Sequence, residues 1–376
     1  MALRAIVIGT GWAGEGHTQA LQSANVDVVA ICGRREDVAR TVASRLGVGE
    51  VRLDWRSAIS HLKPDIVSIA TPGGPHREMV EAAAQQGCHI FCDKPMGANA
   101  ADARAMLAAV RRANVKHAYG ATSCLEPVFS VAHALIADGA VGTLTDIDVQ
   151  VRMGLPTLLP YSWFHDLSQG GGMLNQIFTH GLAQVKFVTD GRPFAVMGEA
   201  RCLVGEAPVA RPIHDFRDWF KPVADINDRT VWRTADADTE YSAIMRLSLA
   251  GEKSATARFV GSLNAQSPEG GRFEIYGTKG TLLITGSGDA KAILHRDATS
   301  HDWRQVSVPP VHASWWLSGD SNEQHNWKAT IQRFVADIRG EASAFYPSFD
   351  DGCEASEIID VIRSGAGWSA VKSMYA

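Results

Sequence analysis

The sequence lacks a C-x-x-C pair, a metal-ligand spacing, an apolar run of membrane-spanning length, an excess of positive charge, an internal repeat and a low-complexity tract. Each absence removes a class of protein. The six cysteines (Cys32, Cys88, Cys92, Cys124, Cys202 and Cys353) then read as reduced thiols of a cytosolic protein, and no metal site is expected. A net charge of −5 argues against a nucleic-acid binder, which usually shows a basic face. The start "MALRAIVIGTG" runs straight into a strand and a glycine loop, so no signal peptide is expected there, and no membrane association. What is present is ordinary globular composition, 45% hydrophobic and 20% charged, over 376 residues, enough for two domains with a real core.

Roughly the first 120 residues alternate short apolar runs with helical patterns: "LRAIVIG", "VDVVAIC", "DIVSIAT", "CHIFCDKP" and "VKHAYGA" against "EGHTQALQSA", "REDVARTVASRLG", "HREMVEAAAQQG" and "AADARAMLAAVRRAN". This alternation predicts a doubly wound parallel sheet over residues 1–122. From residue 123 to 376 the texture changes to half-exposed strand patterns with turn glycines, closed by two helical segments, "NWKATIQRFVADIRG" and "DGCEASEIIDVIRSGAG". An α+β domain with an open, mostly antiparallel sheet is expected, its last helix packing back toward the first domain. Residues 205–237 read as a long loop, functional or at an interface.

"VIGTGWAG" places Gly9, Gly11 and Gly14 as G-x-G-x-x-G between a predicted strand and a predicted helix, with Trp12 and Ala13 between the last two glycines. The glycines allow the tight turn, the approach of a pyrophosphate and close helix packing, and the helix N-terminus offers free N–H groups. A dinucleotide is therefore expected. The second strand ends in Gly33, Arg34 and Arg35, where an NAD site usually carries an acid. With no carboxylate in that place and two guanidiniums able to clamp a 2′-phosphate, NADP(H) is expected over NAD(H).

"GTGWAG", "IATPGGPH", "CDKP", "ADGAVG" and "GGGMLNQIFTH", in this order, resemble the glucose–fructose oxidoreductase / inositol dehydrogenase family, Gfo/Idh/MocA. The resemblance implies a Rossmann domain followed by an α/β domain, and hydride exchange between a nicotinamide and a sugar, polyol or related hydroxylated ring. It also implies a homodimer or homotetramer made through the second domain's sheet. By position, Thr71, Pro72 and His76 match the loop along the nicotinamide ribose. Asp93 and Lys94 match the acid and lysine of the family's E-K-P motif, with Pro95 in a sharp turn, often cis in relatives. His180 matches the catalytic histidine, and Gln176 stands where its aspartate partner usually sits, next to Asn175. Cys124 replaces a common arginine.

Lys94, at the carboxyl end of a parallel strand, is suited to polarise a carbonyl or hold an alkoxide. His180, with an ordinary pKa near 6.5, is suited to general base or acid work. Gln176 and His180 are i and i+4 on a predicted helix, so the amide is expected to orient the ring without supplying charge. The glycines before them make room for substrate or backbone. Trp163 and His165 fall in a segment bordering the substrate in relatives, though core packing explains Trp163 equally well. "ASWWLSGDSNEQHNW" lines either the pocket or a subunit contact. Asp236, Asp238 and His17 read as structural. Two other activities stay open: an oxidation-initiated lyase or glycosidase that recycles its cofactor, and a non-catalytic cofactor-bound sensor.

Overall fold

The computed structural model describes residues 2–371, apart from 211–212, 214–215, 225, 252, 268–269, 287–290, 301, 310–318 and 343. The early apolar runs form β1 (Arg4–Ile8), β2 (Asp27–Cys32), β3 (Val51–Arg52), β4 (Ile66–Ile69), β5 (His89–Cys92) and β6 (His117–Tyr119). Between them lie α1 (Trp12–Ser23), α2 (Glu36–Arg45), α3 (Trp55–Leu62), α4 (His76–Gln85) and α5 (Ala100–Ala113). The strands pair in parallel in the order β3-β2-β1-β4-β5-β6. β4 is buried at every position, and so is β1 from Ala5 onward, which is why they read as unbroken apolar runs rather than alternations. The order reverses between β1 and β4, and ligands gather outside the carboxyl ends at such a switch point. The sequence reading passed over β3 and α3. β3 has two residues and shows no period; α3 is marked only by Asp54, whose carboxylate accepts the N–H of Arg56 at 3.0 Å.

The second part contains α6 (Pro127–Ala137), β7 (Leu144–Arg152), α7 (Thr179–Thr189), β8 (Arg192–Arg201), β9 (Glu206–Pro208), α8 (Phe216–Trp219) and β10 (Trp232–Thr234). It continues through β11 (Glu240–Ser248), β12 (Ser254–Ser262), β13 (Gly271–Gly277), β14 (Gly280–Gly286), β15 (Ala292–Asp297) and β16 (Arg304–Val306). α9 (Asn322–Ile338), α10 (Phe349–Ser364) and β17 (Ser369–Ala370) close it. Nine strands form one sheet, β16-β15-β14-β13-β7-β12-β11-β8-β17, in which only β7 and β12 run parallel among the described pairs. β11 shows the reason: Tyr241, Ala243, Met245 and Leu247 point to the core while Ser242, Ile244 and Arg246 point away. The covered face packs on Phe129, Phe178, Leu182, Val185 and Ile359 of the helical layer. Residues 205–237, expected as a loop, hold the β9–β10 ribbon and α8.

The last two helices return to the first sheet. Trp327, Ile331, Phe334 and Val335 of α9 share a core with Ala5, Val7, Leu21 and Phe91. Gly16 on α1 is required there, because a Cβ would lie 2.1 Å from the Trp327 ring. In α10, Phe349 and Cys353 pack with Met106 and Tyr119, while Ile358 and Ile362 join the core under the large sheet. No described helix is long and apolar enough to cross a membrane.

Candidate active site between the two sheets

The glycine turn is sterically determined. Gly9 has φ +131°, and a Cβ there would meet the Ala70 carbonyl oxygen at 2.3 Å; one at Gly14 would meet the Gly9 carbonyl at 2.2 Å. Gly11 caps α1 in extended conformation with no side-chain hydrogen bond, so no cap side chain occupies the first-turn N–H groups. This cradle fits a pyrophosphate, and Trp12 and Ala13 line the same cleft. Arg34 and Arg35, both exposed, border it beyond β2, and Gly33 packs on Thr10. One guanidinium of the expected clamp already has an acidic partner. Arg35 is forked onto Asp37, with Nη2–Oδ2 2.9 Å and Nε–Oδ1 3.4 Å, so half of the expected clamp is already neutralised. Arg34 forms no ion pair with any described residue.

Thr71 and Pro72 line the cleft, but His76 does not. Its ring is buried, 2.9 Å (Nδ1) from the Pro95 carbonyl and 2.8 Å (Nε2) from that of Thr71, and it ties the loop after β4 to the turn after β5. A cofactor role for His76 is thus replaced by a bracing one. The Lys94–Pro95 peptide is cis. Asp93 is buried, accepts the Lys94 N–H at 2.8 Å, and lies 3.8 Å from His17 Nε2. Burial pushes its pKa up to about 6 against the pull of Lys94. His17 is structural as expected, fully buried beside Ser68 and pushed down to about 3 by burial and by His76.

Lys94, Gln176 and His180 all reach the cleft. The Lys94 ammonium donates to Gln176 Oε1 at 2.5 Å, and Gln176 Nε2 donates to the Gly170 carbonyl at 2.9 Å. Gln176 is therefore the partner of Lys94, not of His180. The physical reason is the helix start: Leu174–Phe178 winds as a π-helix before α7, so i and i+4 do not face each other as they would in an α-helix. Asp238 holds this start by accepting the Leu174 N–H at 2.7 Å, and it pairs with Arg363. The glycines before it make room for protein: a Cβ at Gly171 would lie 2.3 Å from the Phe164 carbonyl, and one at Gly172 would lie 2.7 Å from Asp238. His180 Nδ1 is buried without a hydrogen-bond partner. Burial, with Lys94 and Lys291 adding to it, pushes the His180 pKa down to about 3, far from the expected near-neutral value. Without an acid at 176, nothing opposes that fall.

Residues 3–121 match the family model described as an oxidoreductase family with an NAD-binding Rossmann fold, and residues 129–283 match the GFO/IDH/MocA C-terminal domain. The chain belongs to the Gfo/Idh/MocA oxidoreductase family. This oxidoreductase is 26% identical to levoglucosan dehydrogenase of Pseudarthrobacter phenanthrenivorans over 88% of its own chain and 85% of the relative. It is also 26% identical to inositol 2-dehydrogenase of Rhizobium meliloti, over 55% of its chain and 61% of the relative. Among solved structures it is similar to an oxidoreductase domain protein from Kribbella flavida, with TM-score 0.82, 25% identity and 99% of each chain covered. Levoglucosan dehydrogenase in complex with NADH and L-sorbose shares its fold, with TM-score 0.82, 23% identity and 100% of each chain covered.

The oxidoreductase's remaining candidates divide. Trp163 lines the cleft, with its ring 6.0 Å from that of Phe216. His165 does not: it is buried, its Nδ1 accepts the Ser162 N–H at 3.2 Å, and burial pushes its pKa down to about 4. Asn175 is buried on the Gly171 carbonyl, 3.1 Å away. Trp327 lines the cleft against Trp12, whereas Trp315 and Trp316 fall outside the described residues. The cleft, about 920 Å³, also takes in residues the sequence reading did not single out: Glu126, Lys291, Phe216 and Trp219 of α8, and Asn326 within the tryptophan-rich stretch expected at the pocket or a subunit contact. Glu126 before Pro127 looks like a plain helix cap, and nothing local distinguishes Lys291.

Proposed function

We propose that the protein transfers hydride between nicotinamide C4 and a secondary alcohol or ketone carbon of a sugar, polyol or related ring, with NADP(H) preferred. The observation that carries this reading is that Lys94 and His180 both line the cleft bordered by the glycine turn. The activities of the levoglucosan and inositol dehydrogenases support the substrate class. The nicotinamide, when bound, supplies or accepts the hydride. The rest is the work of this chain.

Lys94 is held by a neutral amide and not by an acid, and burial lowers its pKa. It therefore exchanges a proton more readily than a solvated lysine, and as ammonium it polarises a carbonyl. His180 stays neutral at working pH and orients the reacting hydroxyl by hydrogen bond; its depressed basicity makes it the weaker proton acceptor. Arg34 is the residue offered to a 2′-phosphate.

The test is turnover of a panel of sugars, inositols and sugar acids with each cofactor, followed at the reduced-nicotinamide band. Net reduction of NADP with kcat/KM above that for NAD supports the proposal. A tenfold preference for NAD overturns the cofactor assignment. Turnover with only catalytic cofactor and no net redox change replaces the oxidoreductase with a cofactor-recycling lyase.

A further inference from the structure

Glu126 and Lys291 form an ion pair in the wall of the cleft, their side chains 5% and 23% exposed. Glu126 sits at the N-cap of α6, yet its side chain makes no capping bond. Its carboxylate turns instead to Lys291, and Asn326 of α9 donates to the other oxygen at 3.4 Å. A pair taken out of water in this way is a poor source of stability, since desolvation offsets most of the attraction. It is, however, well equipped to hold a ligand. A carboxylate has about four acceptor sites and an ammonium three donors, so both keep capacity after meeting each other. Adjacent hydroxyls match that remainder: one donates to Glu126 while its neighbour accepts from Lys291. Phe129, also in the wall, has its ring centroid 5.9 Å from the Lys291 nitrogen and offers an apolar face to ring C–H groups. Glu126 and Lys291 line the same cleft as Lys94 and His180.

Two of the cations at this end of the cleft already have acidic partners. Lys291 is offset by Glu126 and Arg272 by Glu274 at 2.8 Å, while the Lys94 ammonium donates to the neutral Gln176 amide. Beyond Lys94, which the function argued above assigns to the reacting hydroxyl, no cation among these is left over to hold a substrate carboxylate.

We propose that Glu126 and Lys291 receive the substrate ring and that this ring is uncharged: a neutral sugar, glycoside or cyclic polyol with adjacent hydroxyls, not a sugar acid. The proposal rests on the function argued above, and its test separates the two. In the presence of cofactor, dissociation constants for myo-inositol, methyl glucoside and glucuronate are measured by calorimetry for wild type, Glu126→Gln and Lys291→Met, alongside kcat and KM and a thermal melt. Wild type is expected to bind at least one neutral ring tenfold or more tighter than glucuronate. Glu126→Gln weakens the neutral ring about tenfold, raising KM more than it changes kcat, and shifts the preference toward glucuronate. Lys291→Met weakens both and supplies the reading if Glu126→Gln does not fold. Cofactor affinity stays unchanged in both variants. A wild type that favours glucuronate or binds no neutral ring, or variants with unaltered affinity and preference, overturn the proposal while leaving hydride transfer to stand on its own. Neutral-ring binding that depends on the pair, with no hydride transferred to any substrate, sinks the function and keeps the site.

Discussion

Gln176→Glu is the sharpest probe of the lysine. The replacement is nearly isosteric and puts a carboxylate oxygen where the amide oxygen now lies 2.5 Å from the Lys94 nitrogen. Opposite unit charges about 4 Å apart attract by about 4 kcal/mol at an effective dielectric near 20. At about 1.4 kcal/mol per pKa unit this would raise the Lys94 pKa by up to about 3 units. Two costs reduce it: the new acid is itself buried, and it loses the N–H that now donates to the Gly170 carbonyl at 2.9 Å. A net rise of about 1–2 units is the working figure. The sign is fixed, because an added anion favours the charged lysine. If the neutral amine takes the hydroxyl proton, the rise of kcat/KM for alcohol oxidation with pH moves up by that amount. Oxidation at pH 7 then falls about 10- to 100-fold and recovers in alkali, while ketone reduction, which uses the ammonium, is spared. The assay is a full pH profile in both directions, with melts to check folding. Superimposable profiles, or a shift confined to an acidic limb, would refute Lys94 as the proton acceptor and return that role to His180.

Lys94→Met should lower kcat by at least about 100-fold with cofactor affinity intact, as checked by single-turnover kinetics and fluorescence titration. Arg34→Ala should reduce the NADPH-to-NADH affinity ratio by about tenfold, and Asp37→Asn, which frees Arg35 from its fork, should raise it; fluorescence titration reads both. Gly14→Ala drives a methyl to 2.2 Å from the Gly9 carbonyl, so stability should drop by about 1–3 kcal/mol or more in urea melts, and cofactor binding should be lost. His17 and His180, with folded pKa values pushed to about 3, and His165, at about 4, take up protons more readily when unfolded. Their contribution is complete above pH 6.5 and is lost as pH falls toward 4 and 3, so the unfolding midpoint should drop across that window. Asp93, raised to about 6, works in the opposite sense and blunts the fall between pH 6 and 4.

The parallel sheet and glycine turn were legible because buried strands and a G-x-G-x-x-G turn leave local marks. Lys94 and His180 were legible through their motifs, since a strand end and a helix start fix where each goes. Partnership was not. Gln176 and His180 look like helix-face neighbours only if the helix is α, and a π-helical turn carries no sequence period that a short window reveals. His76 and His165 looked like site residues because spacing does not say whether an imidazole turns inward to brace backbone. Asp37 was overlooked because the carboxylate expected in a ribose site belongs at the strand end, not two residues beyond an arginine. Glu126 and Lys291 lie 165 positions apart and meet only once the large sheet has formed.

The Trp327 ring pressed onto Gly16 bears on how this molecule can be taken apart. A fragment stopping near residue 122 would keep the nucleotide turn but strip α1 of the tryptophan, isoleucine, phenylalanine and valine that shield it. Such a piece should be insoluble or molten when expressed alone. Adding a peptide spanning 322–338 is the natural attempt at rescue, because the binding half borrows its roof from the far end of the polypeptide.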